Sequence, residues 1–412
     1  MSASVSTRCC IAGGGPAGIM LGLLLARAGV DVTVLEKHGD FLRDFRGDTV
    51  HPSTLEVMHE LGLLDEFLAR PHDKAYDLRV TTGREEAVIA DFRRLPTRCG
   101  FIAMMPQWEF LDFLRDHAVR YPGFHLLMNA EATGLVQAQG RVTGVTARTA
   151  DGELRIDAGL VIGADGRRST LRQAAGLKVL DLGAPIDVLW MRIAKRPDDP
   201  AGSGGRIGAG HFVAMIDRGS YWQCAYVIPK GGISAIQARG LDAFRGELAQ
   251  LVPIFAGRLD QELPAWDAVK LLSVSVDRLE TWWKPGLLCI GDAAHAMSPI
   301  GGVGINLAIQ DAVATANILA ATLADPKAGA DAITPLLQQV QARRMLPTRL
   351  VQWAQVAAQN NLINPLLERQ QAPAMPFALR LLNRVPALRV IPAYAVGVGI
   401  RPEHVRSPKM QV

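Results

Sequence analysis

A short apolar run, Cys9 to Ala12, ends in Gly13-x-Gly15-x-x-Gly18, and a helix-length apolar stretch from Ile19 to Ala26 follows at once. Strand, glycine turn and helix in that order turn a common glycine pattern into a dinucleotide-binding motif. Each glycine has a steric reason. Gly13 lets the strand turn tightly, Gly15 keeps a Cβ out of the space a pyrophosphate would fill, and Gly18 lets helix and strand pack closely. The free amides and the positive end of the helix, with Pro16 and Ala17 in its first turn, then face the phosphates. A second apolar strand, Val30 to Leu35, ends in Glu36 and Lys37. An acid about twenty residues beyond such a turn is placed to accept hydrogen bonds from a ribose.

With 412 residues the chain has room for two or three packed layers or two sizeable cores. A net charge of +4, dispersed along the chain, argues against a nucleic-acid surface. The five cysteines include no C-x-x-C pair, and reduced thiols in a cytoplasmic protein are the simplest reading. The nine histidines show no metal-ligand spacing, so no metal site is expected. No signal peptide and no uninterrupted apolar run of membrane-spanning length are found.

Beyond Glu36 a loop from Lys37 to Asp48 carries Arg43 and Arg46, and a helical period runs from about Ser53 to Leu68. Residues 76–93 alternate like strands, and Met104 to Gln107 lead into a helix. A buried strand, Leu160 to Ile162, delivers Gly163-Ala164-Asp165-Gly166 ahead of an arginine-bearing helix. Between about 183 and 285 the segments alternate as in an antiparallel sheet, with Pro197 to Gly205 read as mobile surface and Leu241 to Leu251 as an amphipathic helix. A third strand then delivers Gly291-Asp292-Ala293-Ala294-His295, a glycine-rich turn after Pro299, and a helix starting near Gly304. The rest is largely helical to about residue 370.

These three motifs, in this order and with Pro299, Gly302, Gly304 and Asn306, resemble the single-component FAD-dependent monooxygenases of the para-hydroxybenzoate hydroxylase type. The resemblance spans roughly residues 8 to 320. It implies an α/β fold: a Rossmann-like FAD-binding domain (1–75, 100–182 and 283–325) interleaved with an antiparallel-sheet substrate domain (76–99 and 183–282). A C-terminal helical region (326–412) follows. It implies FAD as cofactor and NADH or NADPH as reductant. Oxygen is transferred through a flavin C4a-hydroperoxide to an aromatic or polycyclic small molecule.

By resemblance the glycine turn holds the pyrophosphate and Glu36 the ribose. Arg46 and Gln107 lie near the flavin and its phosphate chain, while Asp165 with Gly166 serves FAD and the nicotinamide cofactor. Gly291 and Asp292 hold the ribityl chain, and Pro299 marks the oxygen-reacting face. The turn from Gly301 to Asn306, with Ile305, aims amides at the pyrimidine edge, where negative charge appears on reduction. His295, Pro299 and Arg46 are the catalytic candidates; His51, just before a helix, reads as a turn residue.

Two departures bear on the reaction. Val303 stands where many relatives carry a polar residue. The segment Cys224-Ala225-Tyr226-Val227-Ile228-Pro229-Lys230 lacks both tryptophans of the halogenase pattern and partly matches that of geranylgeranyl reductases. Reduction of prenyl-type double bonds, or flavin binding without catalysis, therefore stays open. Candidate substrate contacts are Trp190, Arg192, His211, Met215, Trp222, Gln223 and Tyr226; alternation puts Trp222 and Tyr226 on one face with Cys224, and Gln223 on the other with Tyr221. The basic, proline-broken tail from Phe377 to Ile400 suits either a membrane surface or, preferably, packing on the body or in a homodimer.

Overall fold

A strand that is apolar on both faces belongs in the middle of a layered fold, and Cys9, Cys10, Ile11 and Ala12 are all fully buried. The computed structural model describes residues 3–42, 49–83, 85–367 and 374–410. The first half runs β1 (Ala3–Ala12), α1 (Pro16–Arg27), β2 (Val32–Leu35), α2 (Pro52–Glu60), β3 (Asp77–Thr82), β4 (Glu85–Asp91), α3 (Gln107–Ala118), β5 (Phe124–Leu127), β6 (Glu131–Ala138), β7 (Arg141–Thr149) and β8 (Gly152–Gly163). The second half runs β9 (Ile186–Ala194), β10 (Gly204–Gly208), β11 (His211–Asp217), β12 (Tyr221–Pro229), α4 (Leu241–Leu251), β13 (Lys270–Leu272) and β14 (Leu287–Cys289). The helices α5 (Gly304–Ala324), α6 (Ala330–Ala358), α7 (Phe377–Arg384) and α8 (Val390–Gly397) complete it.

The first sheet is parallel in the order β14-β8-β1-β2-β5, with β7 and β6 added antiparallel along the outer part of β8. The long strand β8 thus serves three partners, β1 along one edge and β7 then β14 along the other, which explains its twelve residues. Helix α1 is buried from Ala17 to Ala26 and packs against α3 and α5. The stretch Ile300–Ala324 is long and apolar enough to cross a bilayer, but 72% of its most apolar 18-residue window is buried, as a core helix would be. Its interior Gln310 and Asp311 interrupt the apolar run.

The second sheet has the order β13-β9-β12-β11-β10-β3-β4, antiparallel except for the β10–β3 pair. Residues 77–91 therefore cross over to join strands more than a hundred residues later. One face of this sheet carries a core closed by α4, whose Phe244 and Leu248 point inward. The segment Pro197 to Gly205 lies at the surface as expected, with residues 197, 198 and 200–202 exposed, and is anchored through Asp199. Asp199 is buried in an ion pair with Arg258 (2.9 Å) and accepts from Trp222 Nε1 (2.9 Å), and Gly204 already belongs to β10. A buried cation recruits its counter-charge from whichever loop can reach it.

The tail lies on the body. Asn383 of α7 holds the backbone of β4 through Val88 N–H (3.1 Å) and the Glu86 carbonyl (2.8 Å), and Ala393 of α8 is buried beside Phe92 and Leu95. Further along, Glu403 is held by Arg343 (2.6 Å) and Arg344 (3.4 Å), and Arg344 Nε also donates to Asp311 Oδ1 at 3.0 Å. Burial alone would raise the Asp311 carboxyl, but His295 and Arg344 hold it below the usual carboxylate range. Arg344→Met removes the cation between two buried acids. It is expected to lower stability by about 3 kcal/mol or more, read from urea unfolding.

Candidate functional site

Register brings the three motifs together. Ala12 pairs with Gly163 and with Leu35, and Gly163 pairs with Cys289, so β1, β2, β8 and β14 end in one line. The chains beyond them stay in contact: Ala164 N–H donates to the Ala12 carbonyl (2.8 Å) and Ile290 N–H to that of Gly163 (2.9 Å). Gly13-Gly15-Gly18, Glu36, Asp165 and Asp292 therefore share the carboxyl edge of a parallel sheet, the crevice where such sheets bind ligands.

The glycines divide into two kinds. Gly13 has φ +111°, and a Cβ there would lie 2.2 Å from the Ala164 carbonyl oxygen; one on Gly18 would lie 1.9 Å from that of Gly13. Both are needed to build the turn. A Cβ on Gly15, the residue before α1, would meet nothing within 4 Å. Only a bound group needs Gly15.

Glu36 is buried at the end of β2, its Oε2 accepting from Gly14 N–H (3.1 Å) and its Oε1 from His38 N–H (3.0 Å). Asp165 Oδ2 accepts from Leu171 N–H (3.1 Å), while its buried Oδ1 has no hydrogen-bond partner among the described residues. Burial raises its pKa. Asp292 is half-buried and meets Arg167 at 3.3 Å. Ala17 sits against Gly291, and Gly166 follows Asp165 at the same edge.

The turn after Pro299 is bound from two sides. Gly302 N–H closes it on the Pro299 carbonyl (3.0 Å), and Thr49 Oγ1 donates to the Gly302 carbonyl (3.0 Å). Helix α5 opens at Gly304, so the amides of Gly304, Ile305 and Asn306 lack intrahelical partners. The Asn306 side chain is turned away from the edge: its Oδ1 accepts from Ser53 Oγ (2.7 Å) and Thr54 Oγ1 (2.9 Å), pinning α5 to the start of α2. Ile305 likewise packs its side chain in the core.

One histidine differs from expectation. His295 is buried with Nε2 2.6 Å from Asp311 Oδ2 and its ring against Trp282, so the structure gives it to the core rather than to proton transfer at the edge. His51 is the turn residue before α2, its carbonyl accepting from Thr54 N–H (2.9 Å), but it is also fully buried, with Nδ1 2.8 Å from the Val396 carbonyl of α8. Gln107 opens α3 after the strand Ile102–Met104, which pairs with Thr49–Val50 next to the glycine turn. Lys37 is exposed beyond β2, Pro16 begins α1, and Arg43 and Arg46 lie outside the described residues.

The alternation of β12 holds, but four of the seven substrate candidates lie on the α4 side of the sheet. Met215, Trp222 and Tyr226 belong to the core under α4, and His211 Nδ1 faces Tyr226 Oη at 2.5 Å on that same side. Met215, Trp222 and Tyr226 are packed there against Phe244 and Leu248 of α4, while His211 is half-buried at the same side. Trp190 is on the open face, with Val188, Phe212, Ala214, Ala225 and Val227. Ile300, Ile363 and Leu367 complete this apolar layer, so it meets the Pro299 turn. Arg192, stacked on Tyr221 (4.1 Å), and Gln223, which accepts from Arg218 Nε (3.2 Å), continue the same face. The reductase-like pattern is structural here: Tyr226 and Ile228 point into the sealed core, and Lys230 Nζ holds Asp187 (2.8 Å).

A Rossmann-like edge bearing a second sheet over its final glycine turn defines a flavin-type oxidoreductase. A family model described as an FAD binding domain matches residues 6–354. Over 389 residues the chain is 33% identical to a 6-methylpretetramide 4-monooxygenase of Streptomyces rimosus, covering 93% of this chain and 91% of that protein. It is 30% identical to a rifampicin monooxygenase of Streptomyces venezuelae, over 73% of this chain and 61% of the relative. The solved structure of a probable FAD-dependent monooxygenase from Pseudomonas aeruginosa shares the fold, with a TM-score of 0.72 at 22% identity over 88% of this chain and 98% of that one. The chain belongs to the FAD binding domain family and is an FAD-dependent monooxygenase of it. The open cradle at Gly15 and the orphaned Asp165 Oδ1 fit that cofactor.

Two outcomes are expected. Gly15→Ala, at φ −76° and with room for its methyl group, leaves the unfolding temperature of the flavin-free protein unchanged but weakens FAD binding about tenfold or more, by fluorescence titration. An equal loss of fold stability would contradict the division of the glycines. For His51, burial pushes the imidazole from 6.5 down to about 4, against the pull of the Val396 and Gly302 carbonyls. The unfolded chain then binds more protons between those values, so stability rises with pH across that window and falls toward pH 4. The span is worth about 3 kcal/mol. His51→Gln should flatten that slope in urea midpoints; an unchanged slope would assign it to other groups.

Proposed function

We propose that this chain adds one oxygen atom to an aromatic, polycyclic small molecule held between the open face of the second sheet and the Pro299–Gly302 turn. The reaction balances as RH + O2 + NAD(P)H + H⁺ → ROH + H2O + NAD(P)⁺. The observation that carries this reading is the meeting of Trp190, Phe212 and Ile300 in one half-open apolar layer beside the aligned strand ends. Residues 1–75, 100–182 and 283–325 would form the cofactor unit, and 76–99 with 183–282 the substrate unit. The relatives named for 6-methylpretetramide and rifampicin support a bulky ring system as substrate class.

Bound FAD supplies the hydride acceptor and the site of dioxygen activation. The chain supplies the rest. Gly15 and the amino end of α1 receive the pyrophosphate, and Glu36 the adenosine ribose. Asp292 accepts from ribityl hydroxyls, and Arg167 beside it offsets the repulsion between a carboxylate and the phosphates. Amides from Gly302 to Asn306 donate to the flavin edge that becomes negative on reduction. The apolar layer excludes water and orients the ring, so that oxygen goes to carbon rather than being released as peroxide.

The purified protein is expected to be yellow. It should consume NADH or NADPH faster in the presence of a hydroxylated polycycle, giving a product that carries one oxygen from labelled dioxygen by mass spectrometry. Saturation of a substrate double bond with no oxygen gained would favour the reductase, and tight flavin without turnover a binding protein.

A further inference from the structure

Helix α6 presents buried glutamines where a packed helix usually presents apolar side chains. Gln352, Gln355 and Gln359, at i, i+3 and i+7, share one face. Gln352 Nε2 donates to the carbonyls of Asp277 (2.8 Å) and Ala296 (3.0 Å). Gln355 Nε2 donates to those of Ser298 (3.0 Å) and Ile300 (2.9 Å), and Gln359 Nε2 to Ser298 Oγ (2.6 Å). Only an amide nitrogen can donate to two carbonyls, so chemistry fixes the orientation of the first two side chains.

The geometry resembles a missing strand. Alternate residues 296, 298 and 300 have their carbonyls taken by one helix face. The chain bends at Pro299 (φ −68°, ψ −8°) into a 3-10 turn, which lets Gln355 reach the carbonyls of residues 298 and 300 from one position. Beyond Ala296 the segment has no strand partner among the described residues, and the glutamines replace one. At Gln359 the helix widens into a π turn, Gln359–Ile363, a form frequent at functional sites, and this turn delivers Ile363 to the apolar layer beside Ile300. The arrangement costs stability, since Gln355 Oε1 and Gln359 Oε1 are buried with no partner among the described residues. Apolar side chains would avoid that cost but would leave the loop carbonyls unheld.

We infer that Gln355 and Gln359 are positioning residues for oxygen transfer: they set the Ser298–Gly302 loop from one side while Thr49 holds Gly302 from the other. The inference rests on the monooxygenase reading. With the loop in place the electrons go to RH + O2 + NAD(P)H + H⁺ → ROH + H2O + NAD(P)⁺. With it displaced the same electrons leave in O2 + NAD(P)H + H⁺ → H2O2 + NAD(P)⁺.

The test uses full-length, FAD-loaded protein, reduced anaerobically with stoichiometric dithionite and mixed with oxygenated buffer. Flavin reoxidation and peroxide release are followed alongside the visible spectrum of the oxidised enzyme. Gln355→Met keeps length and removes both donors. It is expected to shift the bound-flavin spectrum and speed peroxide release about tenfold, with FAD affinity within about threefold of wild type. Leu337→Ala, a core cavity on the same helix, controls for loss of stability: its unfolding temperature falls while spectrum and peroxide release stay as in wild type. Should Gln355→Met fail to fold, Gln359→Met removes the contact to Ser298 Oγ, and Ser298→Ala removes that contact and the one Oγ accepts from Ile300 N–H, each with an expected rise of about threefold.

Folded, flavin-loaded glutamine variants indistinguishable from wild type would overturn this inference alone, as would an equal effect of Leu337→Ala. A wild type that takes up no flavin would overturn the monooxygenase reading with it.

Discussion

Gly13 runs so close to the Ala164 carbonyl that a methyl group between them would lie 2.2 Å from the oxygen, and the site depends on that contact. It forces the ends of β1 and β8 together, and the hydrogen bond from Ile290 to Gly163 brings β14 alongside. Two helices, α1 and α5, then begin at the same edge, each presenting roughly half a positive charge. Glu36, Asp165 and Asp292 surround them. An assembly of this kind, with positive helix ends, short carboxylates and a bare backbone patch at Gly15, is matched to a molecule with phosphates at one place and hydroxyls at several others.

Behind that edge the apolar core is crossed by buried charge. Asp311 is fully buried yet ionised, because His295 and Arg344 face its two oxygens and Gly291 N–H donates to one of them (3.0 Å). The carboxylate therefore orients the strand end that carries Asp292, and Arg344 extends the connection to Glu403 near the C-terminus. The glutamines of α6 do for the next segment what Asp311 does for Gly291. Helix α5 through Asp311, and α6 through its glutamines, hold loop backbone from outside the sheet.

The cofactor half was legible because its steric demands are local: G-x-G-x-x-G, Gly163 to Gly166 and Gly291-Asp292 each encode a turn within a few residues. Side-chain destinations were less legible. Trp222 and Tyr226 were correctly put on one face of β12, yet nothing in a period-two pattern says which face meets a cofactor and which meets a helix. His295 stands inside a flavin motif and His51 beside a helix start, but partners sixteen and 345 residues away decided their roles. Asp199 was read as a loop acid because its counter-ion, Arg258, lies 59 residues further on. The glutamine ladder left one overlooked trace, three amides at helical spacing.

The sequence, with the family resemblance its motifs carry, determined the α/β class, the three glycine-bearing turns at the strand ends and the flavin-dependent chemistry. Tertiary structure alone decided which sheet face is open, which buried polar groups are structural, and how the loop after Ser298 is held. The reason is range. Backbone sterics and hydrophobic period act over a handful of residues and are written in order along the chain. Burial, ion pairing and side-chain-to-backbone hydrogen bonds are settled between segments that become neighbours only after the sheets have formed.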